Sequence, residues 1–371
     1  MKRMQAAVLR AADQPYSLEE VVLENLRPGE VRVKIVAAGM CHTDLWPRDQ
    51  TEEFLPIIVG HEGSGIVDAV GPGVHGLEVG THVVLSFATC RVCSACLRGH
   101  PAYCSKFNEF NFAGSYEDGT TSAHSVDGEP IKNRWFGQSS YAEYAVVDAD
   151  NVVPVERDLP LELLAPLGCS VQTGAGAVLN EMALAPGQSI AVFGAGAVGL
   201  AAVMAAKLAG AKHIFVVDLH EERLRMAVDL GATQTILAGA DTDVVGEIRK
   251  TCDGVDFSFE TTSVTKVISE SIAVLGLFGF AVLVGGGTGK LSVEPYELAG
   301  RKVTFVLEGS AVPRLFVPQL IGFWRAGQFP FDRMIETYGF EAINSAEADS
   351  LSGKTIKPVL VMNPSTVGVV Q

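Results

Sequence analysis

The sequence predicts a two-domain α/β protein, with a mainly β first domain followed by a doubly wound parallel sheet. Three observations carry that reading. The 371 residues are too many for one ordinary core and suit two domains. Up to about residue 165 the chain reads as short strands broken by glycine-containing turns. From about residue 188 short apolar strands alternate with helical stretches, the pattern of parallel strands joined by crossover helices.

In the first part, residues 30–37 (EVRVKIVA), 65–70 (GIVDAV) and 82–86 (HVVLS) read as strands, with Arg27-Pro28-Gly29 and Gly71-Pro72-Gly73 as turns. Residues 111–140 are polar and irregular and read as a long surface loop. In the second part, 189–193 (SIAVF) is followed by an apolar helix over 197–209. Then come 213–217 (HIFVV), an amphipathic helix over 221–230, and the later strands 255–259 (VDFSF) and 280–284 (FAVLV). Apolar residues at 48% and 39 glycines fit a packed α/β protein rather than a disordered or fibrous one.

A net charge of −15 repels phosphate backbones and argues against nucleic-acid binding. Lys2 and Arg3 precede an apolar run of only four residues, 6–9, which is too short for a secretory core. No run of about eighteen apolar residues is available to span a bilayer. The expectation is a soluble cytoplasmic protein with neither membrane nor nucleic-acid partners.

In such a chain, seven cysteines are better read as metal ligands or reactive thiols than as disulfides. Cys90, Cys93, Cys96 and Cys104 have the spacing C-x2-C-x2-C-x7-C, which can wrap four thiolates tetrahedrally round one zinc ion. Four thiolates leave no open position, so this lobe is structural. A zinc ribbon for nucleic acid is a formal rival, but only Arg91, Arg98 and Lys106 lie in or beside the lobe. Cys252, in a polar turn-like stretch, reads as an unpaired thiol.

Gly194, Gly196 and Gly199 form a G-x-G-x-x-G run directly after one predicted strand and before a helix. The first glycine allows the tight turn, the second lets backbone approach a pyrophosphate, and the third lets helix pack on strand. The pyrophosphate lies at the positive end of the helix. Asp218 closes the next strand, nineteen residues after the last glycine, where an acid can accept a ribose 2′-hydroxyl. An acid there repels a 2′-phosphate, so NAD is expected over NADP.

A second metal site would have to be assembled from distant residues. Cys41-His42-Thr43-Asp44 follows a strand, Gly60-His61-Glu62-Gly63 follows an apolar run, and Cys169 precedes the nucleotide-type domain. Two thiolates and one imidazole leave a fourth position for water or alcohol, the pattern of a catalytic zinc. Spacing alone does not join the three, and each taken singly is more often a core cysteine or a structural histidine.

Together, CHTD at 41–44, GHEGSG at 60–65, the four-cysteine lobe, LGCS at 167–170 and GAGAVG at 194–199 resemble the zinc-containing medium-chain alcohol dehydrogenases. The resemblance runs from Gln5 to Met362 and within that family is nearest to the aryl, benzyl and terpene alcohol dehydrogenases. It implies a GroES-like β catalytic domain over 1–170 carrying the lobe 90–104. A Rossmann NAD domain follows over 171–307, with a return to the catalytic domain over 308–371. It implies Cys41, His61 and Cys169 as catalytic zinc ligands, Asp44 as the carboxylate that orients the ligand histidine, and Glu62 as an acid beside the metal. Thr43 matches the hydroxyl that takes the alcohol proton. Asp218 and Arg223 match adenosine-ribose contacts, and His42 and Lys357 match basic or donor positions near the pyrophosphate. The implied cofactors are two zinc ions per chain and NAD. The implied partners are a small alcohol or aldehyde and further copies of the chain, a dimer ahead of a tetramer.

The expected reaction is oxidation of a primary alcohol, aryl, benzyl or allylic, to the aldehyde. Rivals are a polyol dehydrogenase, whose third zinc ligand is often Glu where this chain has Cys169, and a glutathione-dependent formaldehyde dehydrogenase. A catalytically silent binding or structural relative is the rival from another class, and the intact ligands and Thr43 argue against it. One position departs from the liver-type pattern. The histidine that ends the proton relay five residues after the first zinc ligand is here Trp46. Indole donates a hydrogen bond but is no base near neutral pH. The relay then ends at the ribose hydroxyl and water, or at a group the sequence does not identify, and Trp46 becomes a candidate wall for a flat alcohol.

Overall fold

Val31, Val33 and Ile35 alternate along the strand Glu30–Gly39 and are buried, while Lys34 between the last two is exposed. The two-residue period of an extended chain thus supplies one wall of a core. In the computed structural model, which describes residues 1–286, 290–291 and 293–362, this strand is the centre of a seven-stranded sheet among the described residues. It pairs antiparallel with Glu62–Val70, Tyr144–Asp148 and Lys357–Val361. A five-stranded sheet built on Lys2–Leu9 and Ser17–Leu23 completes the β part of the first unit. The pairing of Glu30–Gly39 with Glu62–Val70 brings Gly39 opposite Glu62, so the residues after one strand meet those that begin the other.

The second unit is a parallel sheet of six strands among the described residues. Its order is Gln234–Leu237, His213–Asp218, Ser189–Phe193, Val255–Glu260, Leu275–Leu283, Lys302–Phe305. Numbered within the unit, that is 3-2-1-4-5-6, the doubly wound order with its reversal beside Ser189–Phe193. All five residues of that central strand are buried, as expected for a strand covered on both faces. Helices Ala197–Leu208 and Glu221–Leu230 supply the first two crossovers.

The chain divides into one unit of Met1–Cys169, Val312–Pro318 and Met334–Gln371, and another of Ser170–Ala311 and Gln319–Arg333. The predicted return segment 308–371 is therefore not handed over whole, because Gln319–Arg333 groups with the parallel sheet. Residues 363–371 of that segment lie outside the described residues.

The expectation of a surface loop over 111–140 is corrected. The stretch contains strands Ala123–Ser125 and Pro130–Ile131, and its side chains at Asn111, Asn133, Trp135, Phe136 and Gln138 are buried. The polar ones are buried because they are satisfied. Asn111 accepts the Ala88 N–H at 2.8 Å and donates to the Ala88 and Phe107 carbonyls. Asn133 accepts from Thr121 and Ser122. Hydrogen-bonded amides can enter a core at little net cost, and a polarity count cannot tell them from solvated ones.

Candidate active site

Cys41 ends the turn after Glu30–Gly39, His61 and Glu62 open Glu62–Val70 and the bend before it, and Cys169 closes the short turn Ala165–Gly168. The structure brings these four together: one ligand atom from each of Cys41, His61, Glu62 and Cys169 lies within 4.8 Å of all the others. The Glu62 carboxylate needs Gly39, because a Cβ there would collide with its Oε2.

The state of His61 is fixed by its neighbour. Its Nδ1 lies 2.7 Å from Asp44 Oδ1, and an ionised carboxylate only accepts, so Nδ1 carries the proton. Nε2 is buried and has no hydrogen-bond partner among the described residues, so in the neutral ring it presents a lone pair. An orphaned imidazole nitrogen facing two thiols is the donor set that zinc takes. Burial alone would lower the His61 pKa, but Asp44 and Cys41 raise it well above the ordinary value. The field that favours a proton on Nε2 equally favours a metal cation. A hydrogen bond to Cys169, with help from His61 and Lys357, holds the Cys41 thiol well below its usual value against burial. The residues present therefore fit zinc.

Asp44 is buried and collects five donors. Besides His61, Oδ1 accepts the Gly60 N–H at 3.1 Å and the Trp135 indole N–H at 3.1 Å. Oδ2 accepts the Tyr141 hydroxyl at 2.9 Å and the Cys41 N–H at 3.2 Å. Segment 135–141 continues the brace. Gln138 donates to the His61 carbonyl at 2.8 Å and accepts the Gly63 N–H at 3.0 Å. Phe136 lies face to face with the His61 ring, with centroids 4.4 Å apart. Sequence reasoning missed Trp135, Phe136, Gln138 and Tyr141, because the polar text around them read as loop. Their only signal was an aromatic cluster, Trp135-Phe136 inside that polar stretch and Tyr141 just after it.

Glu62 pairs with Lys357. The ammonium lies 2.9 and 3.1 Å from the two carboxylate oxygens and 2.7 Å from the Met40 carbonyl, and Lys357 is only 2% exposed. Burial pushes the Glu62 carboxyl up and Lys357 pulls it down. Burial would lower the Lys357 pKa, but Glu62 and Cys41 raise it above the ordinary value. Bidentate contact makes the ion pair the state of this couple. The three Lys357 donors meet three protein acceptors, so the pyrophosphate contact expected of this residue would need one of them released. His42 is exposed and Thr43 half-buried, with Thr43 Oγ1 3.8 Å from Cys41 Sγ. Trp46, 37% exposed, stacks on Trp135 at 5.6 Å, meets Phe54 edge-on and lies tilted against Phe112.

The lobe forms a second cluster, with the sulfurs of Cys90, Cys93, Cys96 and Cys104 within 4.8 Å of one another. Backbone N–H groups of Cys90 and Lys106 point at the Cys104 sulfur, that of Cys93 at Cys90, and that of Ser105 at Cys93. Backbone N–H groups of Cys96 and Ser105 bring the Cys93 thiol down to about 5, while burial and Cys93 push Cys96 up to about 12. Thiols poised so unevenly are levelled by a shared dication, which takes all four as thiolates.

In the parallel sheet, Gly194 has φ +96°, and a Cβ on Gly199 would collide with the Gly194 carbonyl, so helix and strand meet on glycine. A Cβ on Gly196 would meet nothing, which leaves room for a ligand to approach. Asp218 accepts the Ala195 N–H at 2.6 Å and the His220 N–H at 2.9 Å. These use two of its roughly four lone-pair positions, and the rest are available to a sugar diol. Arg223 is half-buried, and its Nε has no hydrogen-bond partner among the described residues.

Residues 27–157 match the family described as the alcohol dehydrogenase GroES-like domain, and 197–321 the family described as zinc-binding dehydrogenase. A geraniol dehydrogenase of Castellaniella defragrans is 41% identical over 362 residues, covering 96% of this chain and 97% of that one. The crystal structure of a benzyl alcohol dehydrogenase from Acinetobacter calcoaceticus superposes with a TM-score of 0.93 at 40% identity, covering 98% of this chain and 100% of that one. An alcohol dehydrogenase zinc-binding domain protein from Burkholderia ambifaria gives 0.94 at 45% identity, covering 98% and 99%.

Proposed function

The chain belongs to the zinc-dependent medium-chain alcohol dehydrogenases, and from that membership we propose that it oxidises a primary benzyl, aryl or allylic terpene alcohol to the aldehyde, with NAD as hydride acceptor. The observation that carries the reading is the bare Nε2 of His61 beside Cys41 and Cys169. With Cys41, His61 and Cys169 as ligands, a zinc ion supplies a Lewis acid that lowers the pKa of an alcohol hydroxyl. In this reading Thr43, whose Oγ1 lies 3.8 Å from Cys41 Sγ, takes the alcohol proton. Asp44 holds the imidazole in the tautomer that presents Nε2, and the Glu62–Lys357 pair balances charge behind the ligands.

NAD supplies the hydride acceptor when bound on the Gly194–Gly199 loop. Gly196 gives the pyrophosphate its approach, and Asp218 receives the adenosine ribose and disfavours a 2′-phosphate. Arg223 and His42 are further contacts in this reading. Trp46, on its stack with Trp135, offers a flat wall to an aryl or allylic group, and the named substrates of the geraniol and benzyl alcohol relatives suit such a wall. Seven free thiols suit a reducing, cytoplasmic setting. Among the described residues no helix is long and apolar enough to cross a membrane. A homo-oligomer, a dimer ahead of a tetramer, is part of the same reading.

The test is initial-rate NADH absorbance with benzyl alcohol, geraniol, ethanol, a polyol and formaldehyde plus glutathione, each with NAD and NADP. Higher kcat/KM for benzyl alcohol or geraniol with NAD is the expected result. Preference for the polyol or the glutathione adduct would replace the substrate reading, and no turnover with any would remove the enzymatic one.

A further inference from the structure

Of the five donors on Asp44, two are backbone groups of the ligand segments and one is the ligand itself. Only Trp135 and Tyr141 are side chains recruited from elsewhere. We infer that Trp135 is a positioning residue for the metal-binding face of His61, acting through Asp44, and that the same indole sets the attitude of Trp46. The inference rests on the reading of Cys41, His61 and Cys169 as zinc ligands.

The indole is held so that its N–H can point in one direction only. Trp135 is fully buried, with Trp46 on its face at 5.6 Å and Phe54 and Phe112 edge-on at 6.3 and 5.5 Å. Its own backbone N–H donates to Ser139 Oγ at 2.9 Å, and its carbonyl accepts from the N–H groups of Gln138 and Ser139. The N–H therefore reaches Asp44 Oδ1 without freedom to swing. On that oxygen it shares two lone pairs with His61 and Gly60, so each donor constrains the direction of the others.

The next residue acts on the other side of the same ligand. Phe136 covers the His61 ring at 4.4 Å from a backbone with φ 50°, a conformation that bulky side chains seldom adopt. Two consecutive aromatic residues thus fix the imidazole, one by its face and one through its carboxylate. The Trp46 wall and the metal ligand share Trp135 as common support, so the two should respond together to changes in it.

The experiment follows zinc loss from the holoenzyme to a chromophoric chelator, in which the four-cysteine lobe is the internal control. Cys169→Ser, which lacks one catalytic-site ligand, assigns the two phases. Trp135→Phe keeps an aromatic ring and removes the N–H. It should release the catalytic-site zinc about 10–100-fold faster, as loss of a partner behind a metal ligand does, with the lobe phase unchanged and kcat lowered more than KM. A ring that merely fills space would be replaced by Phe without this selectivity, so wild-type rates for both ions overturn the inference. If both phases accelerate together, the double variant with Asp44→Ala, which removes the acceptor, decides. Adding Trp135→Phe to Asp44→Ala should then change the catalytic-site phase no further, and full additivity overturns the inference. A wild-type protein holding two zinc ions keeps the metal-site reading intact in either case. One that holds only the lobe zinc overturns both.

Discussion

Asp44 Oδ1 lies 2.7 Å from His61 Nδ1, with both side chains withdrawn from solvent. That one bond decides which imidazole nitrogen keeps the proton and which faces the two cysteines. Asp44→Ala should therefore weaken catalytic-site zinc by about 10–100-fold while the lobe keeps its ion. Competition with a chelator of known affinity measures both, and equal affinities in mutant and wild type would falsify the orienting role.

Metal analysis should find two zinc ions per chain, one for each sulfur-containing cluster. Cys93→Ser should lower the Tm, because a closed zinc site contributes folding free energy. Cys169→Ser should stay folded and still quench or shift NADH fluorescence, yet turn over poorly. A fully active Cys169→Ser protein would remove it from the catalytic site.

Lys357→Met leaves the Glu62 carboxylate buried without its cation. Breaking a buried pair from one side costs roughly 3–5 kcal/mol, so denaturant unfolding should show a loss of that order. Adding Glu62→Gln should recover a large part of it. An additive pair of losses would mean that the two side chains do not depend on each other.

Asp218 is a buried acid beside the glycine loop. Facing a 2′-phosphate, it makes a like-charge contact that costs several kcal/mol, so kcat/KM should strongly favour NAD over NADP. Asp218→Ala should narrow the preference chiefly by raising KM for NAD, since the Ala195 N–H also loses its acceptor. Equal efficiency of the unmutated protein with both cofactors would refute this assignment.

Trp46→His places a group with a pKa near 6.5 where an indole cannot act as a base. The base works only when deprotonated, so the oxidation rate of the mutant should climb as pH passes from about 6 to 7.5. Loss of the stack on Trp135 should also reduce the preference for benzyl alcohol over ethanol. Superimposable pH profiles would place position 46 off the proton path, and an unchanged preference would remove it from the substrate wall.

The legible parts of this chain are those where hydropathy and geometry share a period. Alternation along Glu30–Gly39, the run Ser189–Phe193 and the amphipathic face of Glu221–Leu230 could each be read directly from the residues. So could the glycine loop, because three glycines at fixed offsets have separate steric reasons. Segment 111–140 was opaque, since Asn111, Asn133 and Gln138 are polar yet satisfied inside the protein. The pairing of Lys357 with Glu62 was not legible either: the two lie 295 positions apart in the chain, and no local pattern reports a pairing at that distance. The Gly60, Trp135 and Tyr141 donors to Asp44 were out of reach for that reason too, whereas its bond to His61 was implied by the family resemblance.

The convergence on Asp44 has a consequence for how this protein can vary by descent. Cys41, Gly60 and His61, Trp135 and Tyr141 come from well-separated places in the chain, yet all are answered by one carboxylate. A lineage that loses one side-chain donor keeps four, and can drift through such a step with reduced but usable function. A lineage that loses the acceptor strands all five at once. A saturation library selected for growth on an alcohol should therefore be lopsided, with several residues surviving at 135 and 141 and a single one at 44.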